Sequence, residues 1–200
     1  MRRGYHHGNL KAALVEAALA LIGAKGPSGF TFAEAARAAG VSPAAPYRHF
    51  RDREALVAEV AQQGYGLFEK ALAEAWQGGR PEPVGALHRV GGAFLHFART
   101  QPAFYTAMFE SGLNVGSEPA LHAAAERAFD VLRDAVAAVA ATLPASSRPP
   151  VTMMALHLWS QAHGIASLFG RGDAARRPIP MPPEELLEAA TLIYLRGLGS

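Results

Sequence analysis

V-S-P-A-A-P-Y-R-H-F, residues 41–50, reads as a short, solvent-facing helix that follows a tight turn. Upstream, Thr31 is placed to cap a helix, and Glu34 three positions on completes a capping box. Phe32, Ala35, Ala36 and Ala39 form the apolar face of that helix. Gly40 stands where a helix stops by turning left-handed, Val41 fills the gap between two helices, and Ser42 is the cap of the second. Pro43 suits a first helical position, which needs no donor, whereas Pro46 costs one hydrogen bond at the end of the first turn. Two helices joined by so short a turn make a helix-turn-helix, whose second helix lies in the major groove of DNA.

That second helix exposes Ala44, Ala45, Tyr47, Arg48 and His49. Arginine hydrogen-bonds guanine bidentately and alanine methyls touch thymine methyls, so Ala44, Ala45 and Arg48 are the candidate base readers. Tyr47 and His49 suit phosphates, which position a helix without reading sequence. Phe50 turns inward as an anchor. Asp52 caps a third helix whose N-terminal amides, with Arg53, suit another phosphate, because a helix N-terminus carries a partial positive charge. With the capping residues Thr31 and Ser42 these are the expected DNA-binding set.

Residues 9–56 resemble the DNA-binding domain of the TetR family of transcriptional regulators. The resemblance rests on T-F-A-E-A-A-R-A-A-G-V-S-P-A-A-P-Y-R-H-F-R-D-R-E-A-L, residues 31–56. The start G-Y-H-H-G-N-L and the later W-S-Q-A-H-G, residues 159–164, are similar to the branch whose regulatory domain is called WHG. This resemblance implies an all-α fold: a three-helix DNA-binding domain over residues 1–54, then a helical bundle over residues 55–200 for ligand binding and dimerisation. It further implies a homodimer in which the last two helices of each subunit pair as a four-helix bundle.

Composition agrees with a small cytoplasmic protein. Half of the 200 residues are hydrophobic, enough for a real core, and no cysteine is present for disulfides or zinc thiolates. No apolar run follows Arg2 and Arg3 as in a signal sequence, and those two residues suit either an arm reaching into the minor groove or a disordered end. The most apolar helix, near residues 151–169, is interrupted by His157, Ser160, Gln161 and His163, which argues against a membrane span. The net charge of +2 hides an asymmetry. Residues 1–53 hold eight Lys or Arg against three acids, and residues 54–200 hold eleven against fourteen. A basic end on a mildly acidic body favours electrostatic docking on nucleic acid.

Helical periodicity runs through the rest. A first helix spans about residues 8–24, with Leu10, Ala13, Leu14, Ala17, Ala18 and Leu21 on one face. A long one over residues 53–76 carries Leu56, Val60, Gly64, Phe68, Leu72 and Trp76 at helical spacing and is about 35 Å long. Further helices are expected near 84–99, 102–111, 118–143, 150–169 and 184–197, between Gly- and Pro-rich joints, with no strand. The body is rich in aromatic and sulfur side chains interleaved with histidines. Phe94, Phe97, Tyr105, Met108, His122, Met154, Trp159 and His163 are the candidate lining of a pocket for a small, largely apolar effector. No metal is expected, since His157 and His163 are six residues apart rather than four, and no cofactor motif is present. Trp159 and His163 are four apart and share a helix face.

Met154, Leu158, Ala162, Ile165 and Phe169, with Leu186, Leu187, Ala190, Ile193, Tyr194 and Leu198, offer more apolar surface than a terminal hairpin buries. Such a surface marks an interface, and the resemblance implies a homodimer through helices near 150–169 and 184–197, which would set two recognition helices one DNA turn apart on a near-palindromic site. The expected function is a homodimeric repressor released from double-stranded DNA by a small effector. The competing readings are an architectural DNA binder without effector, or a small all-helical enzyme using His122 or His163 as a base. No serine or cysteine sits in a nucleophile motif, which favours a non-enzyme. Arg171-Gly172-Asp173 spells an adhesion tripeptide and reads as a loop.

Overall fold

In the computed structural model the described residues are 10–170 and 179–198, apart from the side chain of Ser147. The readings made on Arg2, Arg3, residues 4–9 and the 171–173 tripeptide lie outside them. Eight α-helices occupy the described chain: α1 (Leu10–Lys25), α2 (Phe32–Ala38), α3 (Arg53–Trp76), α4 (Pro83–Thr100), α5 (Pro102–Phe109), α6 (Pro119–Thr142), α7 (Val151–Gly170) and α8 (Pro183–Leu198). Short 3₁₀ turns join them, and the described residues contain no strand. None of these helices is long and apolar enough to cross a membrane.

The chain divides into two compact units, residues 1–66 with 101–125, and residues 67–100 with 126–200. Both α3 and α6 contribute a part to each.

In the first unit α1 packs against α2 and α5. Two neighbours need two apolar sides. Leu14, Val15, Ala17, Ala18 and Ile22 are buried, while Leu10 and Leu21 of the expected single stripe are half-exposed. The first part of α3 likewise buries Val57, Ala61 and Tyr65 besides the expected Leu56 and Val60. The Tyr65 hydroxyl donates to the Met108 carbonyl oxygen at 3.3 Å. A Cβ built on Gly64 would lie 2.7 Å from Met108 Sδ, so this glycine lets α5 come close to α3.

In the second unit α4, α7 and α8 pack on one another. Arg89 pins the corner before α4: its Nε donates to the Ala75 carbonyl at 3.1 Å, and its guanidinium also reaches the Arg80 carbonyl. Across α4 and α8, Arg99 meets Glu184 at 2.8 Å and His88 Nδ1 lies 3.9 Å from Glu188. His157 of α7 stacks on Tyr194 of α8, ring centroids 4.2 Å apart.

The outward face of α7 differs from the one expected for an interface. Met154, Leu158, Ala162 and Ile165 are buried within the unit. The exposed stripe is instead Met153, Leu156, Ser160, Gly164 and Leu168, with Ile193 of α8 71 % exposed. Because α7 is apolar nearly all round, periodicity alone cannot say which side meets α4 and α8. Gly164 has open space where a Cβ would be, so it serves no close helix approach among the described residues.

Candidate functional site

Local chemistry builds the head. The Thr31 hydroxyl accepts from the Glu34 amide at 3.2 Å, and the Glu34 carboxylate accepts from the Thr31 amide at 2.7 Å, the reciprocal bonds of a capping box. Lys25, 2.7 Å from the same carboxylate, and the Thr31 amide and hydroxyl hold Glu34 down to about 2. Gly40 adopts φ +72°, the left-handed stop that ends α2.

The recognition segment is shorter than expected. It is a 3₁₀ helix of four residues, Ala45–Arg48, and Ser42 makes no side-chain cap. The Ala45 amide bonds the Ser42 carbonyl at 3.0 Å, and the His49 amide bonds the Pro46 carbonyl at 2.9 Å. Pro46 has no amide to give the Ser42 carbonyl, so the turn closes through three-residue rather than four-residue spacing. Pro46 and Phe50 are buried under this turn, and Ala44, Tyr47, Arg48 and His49 are exposed, with Ala45 half-exposed. Tyr47 is held without being hidden: it remains 64 % exposed while its ring meets Phe32 edge-on at 5.0 Å.

Asp52 caps α3 as expected, its carboxylate accepting from the Ala55 amide at 2.8 Å. Arg53 is occupied at home. It donates to the Pro27 carbonyl at 2.6 Å and lies over the Phe30 ring at 5.9 Å, tying α3 to the loop after α1. The neighbouring Arg51, which sequence reasoning passed over, is exposed; it pairs with Asp52 at 2.8 Å and Glu118 at 3.7 Å. These charges border a polar crevice of about 270 Å³ in the first unit.

The candidate pocket residues do not form one set. Tyr105, Met108 and His122 belong to the first unit, where Tyr105 and Met108 are buried and His122 is exposed. Phe94, Phe97, Met154, Trp159 and His163 belong to the second unit. There Trp159 and His163 meet Phe94 edge-on at 5.4 and 4.9 Å, so the tryptophan and the histidine of W-S-Q-A-H-G clamp one ring. Phe68, fully buried, joins Phe94 at 5.3 Å, Phe97 at 5.0 Å and Trp159 at 6.0 Å. Burial pushes the His163 imidazole down to about 4.

Beside this cluster is a cavity of about 30 Å³, room for roughly one water molecule. Val90, Gly91 and Phe94 of α4, Trp159 of α7, and Leu187 and Thr191 of α8 are among its walls. The α8 side was invisible to the sequence reading, because Leu187 and Thr191 come within reach of α4 only when the chain folds back about a hundred residues later. Among the described residues no group of His, Cys, Asp or Glu is placed to hold a metal ion.

A capped helix-turn-helix on an all-helical body is the architecture of a bacterial DNA-binding regulator. Residues 14–60 match the family described as "Bacterial regulatory proteins, tetR family", and residues 87–192 match "Tetracyclin repressor-like, C-terminal domain". The chain belongs to the TetR family of transcriptional regulators. Among solved structures it is similar over the full length of both chains to a protein of unknown function from Rhodococcus sp. RHA1, at 28 % identity and a TM-score of 0.81. It also resembles the TetR family transcriptional regulator PfmR from Thermus thermophilus, at 24 % identity over 94 % of this chain and 99 % of that one, TM-score 0.68. The fold recurs in the fatty acid degradation regulator FadR from Bacillus halodurans, at 11 % identity over 98 % and 97 % of the two chains, TM-score 0.72. No curated protein matches the chain in sequence.

Proposed function

We propose that this chain is a cytoplasmic homodimeric repressor that binds a near-palindromic operator and leaves it when a small, largely apolar ligand occupies the body. In this reading residues 1–54 are the DNA-binding domain and residues 55–200 the ligand-binding and dimerisation domain. The observation that carries it is the recognition turn, where buried Pro46 and Phe50 hold Tyr47, Arg48 and His49 out to solvent. Arg48 and the alanines meet base edges, while Tyr47, His49 and the α3 N-terminus meet phosphates. Thr31 and Arg53 act through the scaffold, given the bonds they make within it.

Two copies join through the exposed α7 stripe and Ile193, an apolar surface with small residues at Ser160 and Gly164 where two helices can approach. A near-palindromic operator read by two such heads has half-sites about 34–36 Å apart, one turn of DNA. Replacing Ile193 by Glu is expected to shift the sedimentation coefficient from dimer to monomer while the helical circular dichroism is retained. An unchanged dimer would move the interface elsewhere.

Selection of binding sites from a random duplex library with the purified protein tests the whole reading. The expected result is an enriched near-palindrome, lost with Arg48→Ala. Detectable binding without an enriched sequence would instead describe an architectural DNA binder.

A further inference from the structure

We propose that the cavity between α4, α7 and α8 takes an uncharged apolar molecule carrying at most one hydroxyl, which makes room for itself by displacing Leu187 from the surface of Gly91. This rests on the ligand-responsive reading above and adds the chemical class of the ligand and the element it moves.

The class follows from the walls. Val90, Phe94, Trp159 and Leu187 are hydrocarbon or aromatic, and among the described residues no charged side chain borders the space. A carboxylate or ammonium buried there would lack a counter-ion and lose its hydration, the most unfavourable form of burial. The hydroxyl in the wall is that of Thr191, 5 % exposed, which donates to the Leu187 carbonyl at 2.8 Å. Its proton is engaged, and its oxygen keeps lone pairs that accept from a ligand hydroxyl. The site therefore accepts from one ligand hydroxyl and has no cationic side chain in its described lining to balance an anion.

The route follows from the fit. The cavity is about 30 Å³ as it stands, too small for an organic molecule. A Cβ built on Gly91 would lie 2.9 Å from Leu187 Cδ2, so the leucine fills the notch that the glycine leaves in α4. Its terminal methyls are the movable part of the wall. The Arg99–Glu184 pair ties α8 to α4 beside this plug, and His88 faces Glu188 at 3.9 Å on its other side. A ligand that lifts Leu187 therefore pushes on α8, which also carries the exposed Ile193.

The test uses two probes of one shape, p-cresol and 4-hydroxybenzoate, which differ by a methyl in place of a carboxylate. Binding to the full-length protein is read by saturation-transfer NMR and by the shift in melting temperature. The expected result is saturable p-cresol binding that 4-hydroxybenzoate does not displace. Leu187→Ala should bind p-cresol at least tenfold more tightly, since truncated cores of this kind hold benzene-sized guests. Thr191→Val, which keeps the shape, should weaken p-cresol severalfold and leave toluene binding unchanged. Displacement by 4-hydroxybenzoate would overturn the ligand class, and an unchanged p-cresol affinity in both variants would overturn the site. Duplex DNA binding measured on the same samples separates the two levels. Probe binding by a protein that does not bind DNA would sink the regulator reading and leave the cavity assignment standing.

Discussion

The recognition head and the aromatic cluster of the second unit use similar residue types to opposite ends. In the head, Phe32 supports Tyr47 edge-on and leaves it largely exposed. In the second unit, Phe94 takes Trp159 and His163 in the same edge-on geometry and is buried. The capping and turn bonds of the head join residues three or four apart; the cluster joins side chains from α3, α4 and α7. One region turns its aromatic surface to presenting polar groups, the other to excluding water. Mutations should therefore separate folding from function cleanly in the first region and hardly at all in the second.

The largest expected effect is in the cluster. Phe68→Ala removes a fully buried ring that touches three others and should cost roughly 3–5 kcal/mol in urea unfolding. A small loss would mean that the cluster collapses around the gap and is not the rigid core described. Next is the pH response of His163. Its folded value near 4 lies below the unfolded 6.5, so the unfolded chain binds more protons between them. Stability from this group is complete above pH 6.5 and is lost as pH falls through 6.5 toward 4. His163→Phe should flatten that part of the urea midpoint against pH.

In the head, Arg48→Ala should weaken operator binding by about 1–3 kcal/mol, roughly five- to 150-fold, with the melting temperature unchanged. An equal fall in melting temperature would erase the contrast between the regions. Thr31→Ala is the smallest and marks where the contrast blurs, since it removes a cap from the scaffold of the reader. It should cost about 1 kcal/mol of stability by thermal unfolding, with DNA affinity falling only through that loss.

The helices were legible because their signals are local. Thr31 with Glu34, Gly40 and Asp52 each act within four residues, and α3 begins and ends where periodicity predicts. The long apolar runs were legible as helices and not as faces. On α7 the choice between Met153 and Met154 as the outward methionine depends on α4 and α8, far away in sequence. Arg53 was legible as a cation and not as the partner of the Pro27 carbonyl, a bond across 26 residues. The recognition turn failed in a smaller way. A proline at position 46 announces a weak helix start, and its missing amide leaves the whole segment a four-residue 3₁₀ turn.

That turn also bears on how fast the protein finds its site. Pro43 and Pro46 restrict the segment before any DNA arrives, and burial of Pro46 and Phe50 fixes it further. A reader already in shape has no ordering step to complete on contact, so encounter should be governed by the basic charge of residues 1–53 and by orientation. Sequence preference would then appear in the lifetime of the complex, with correct and incorrect sites reached at similar rates and left at very different ones.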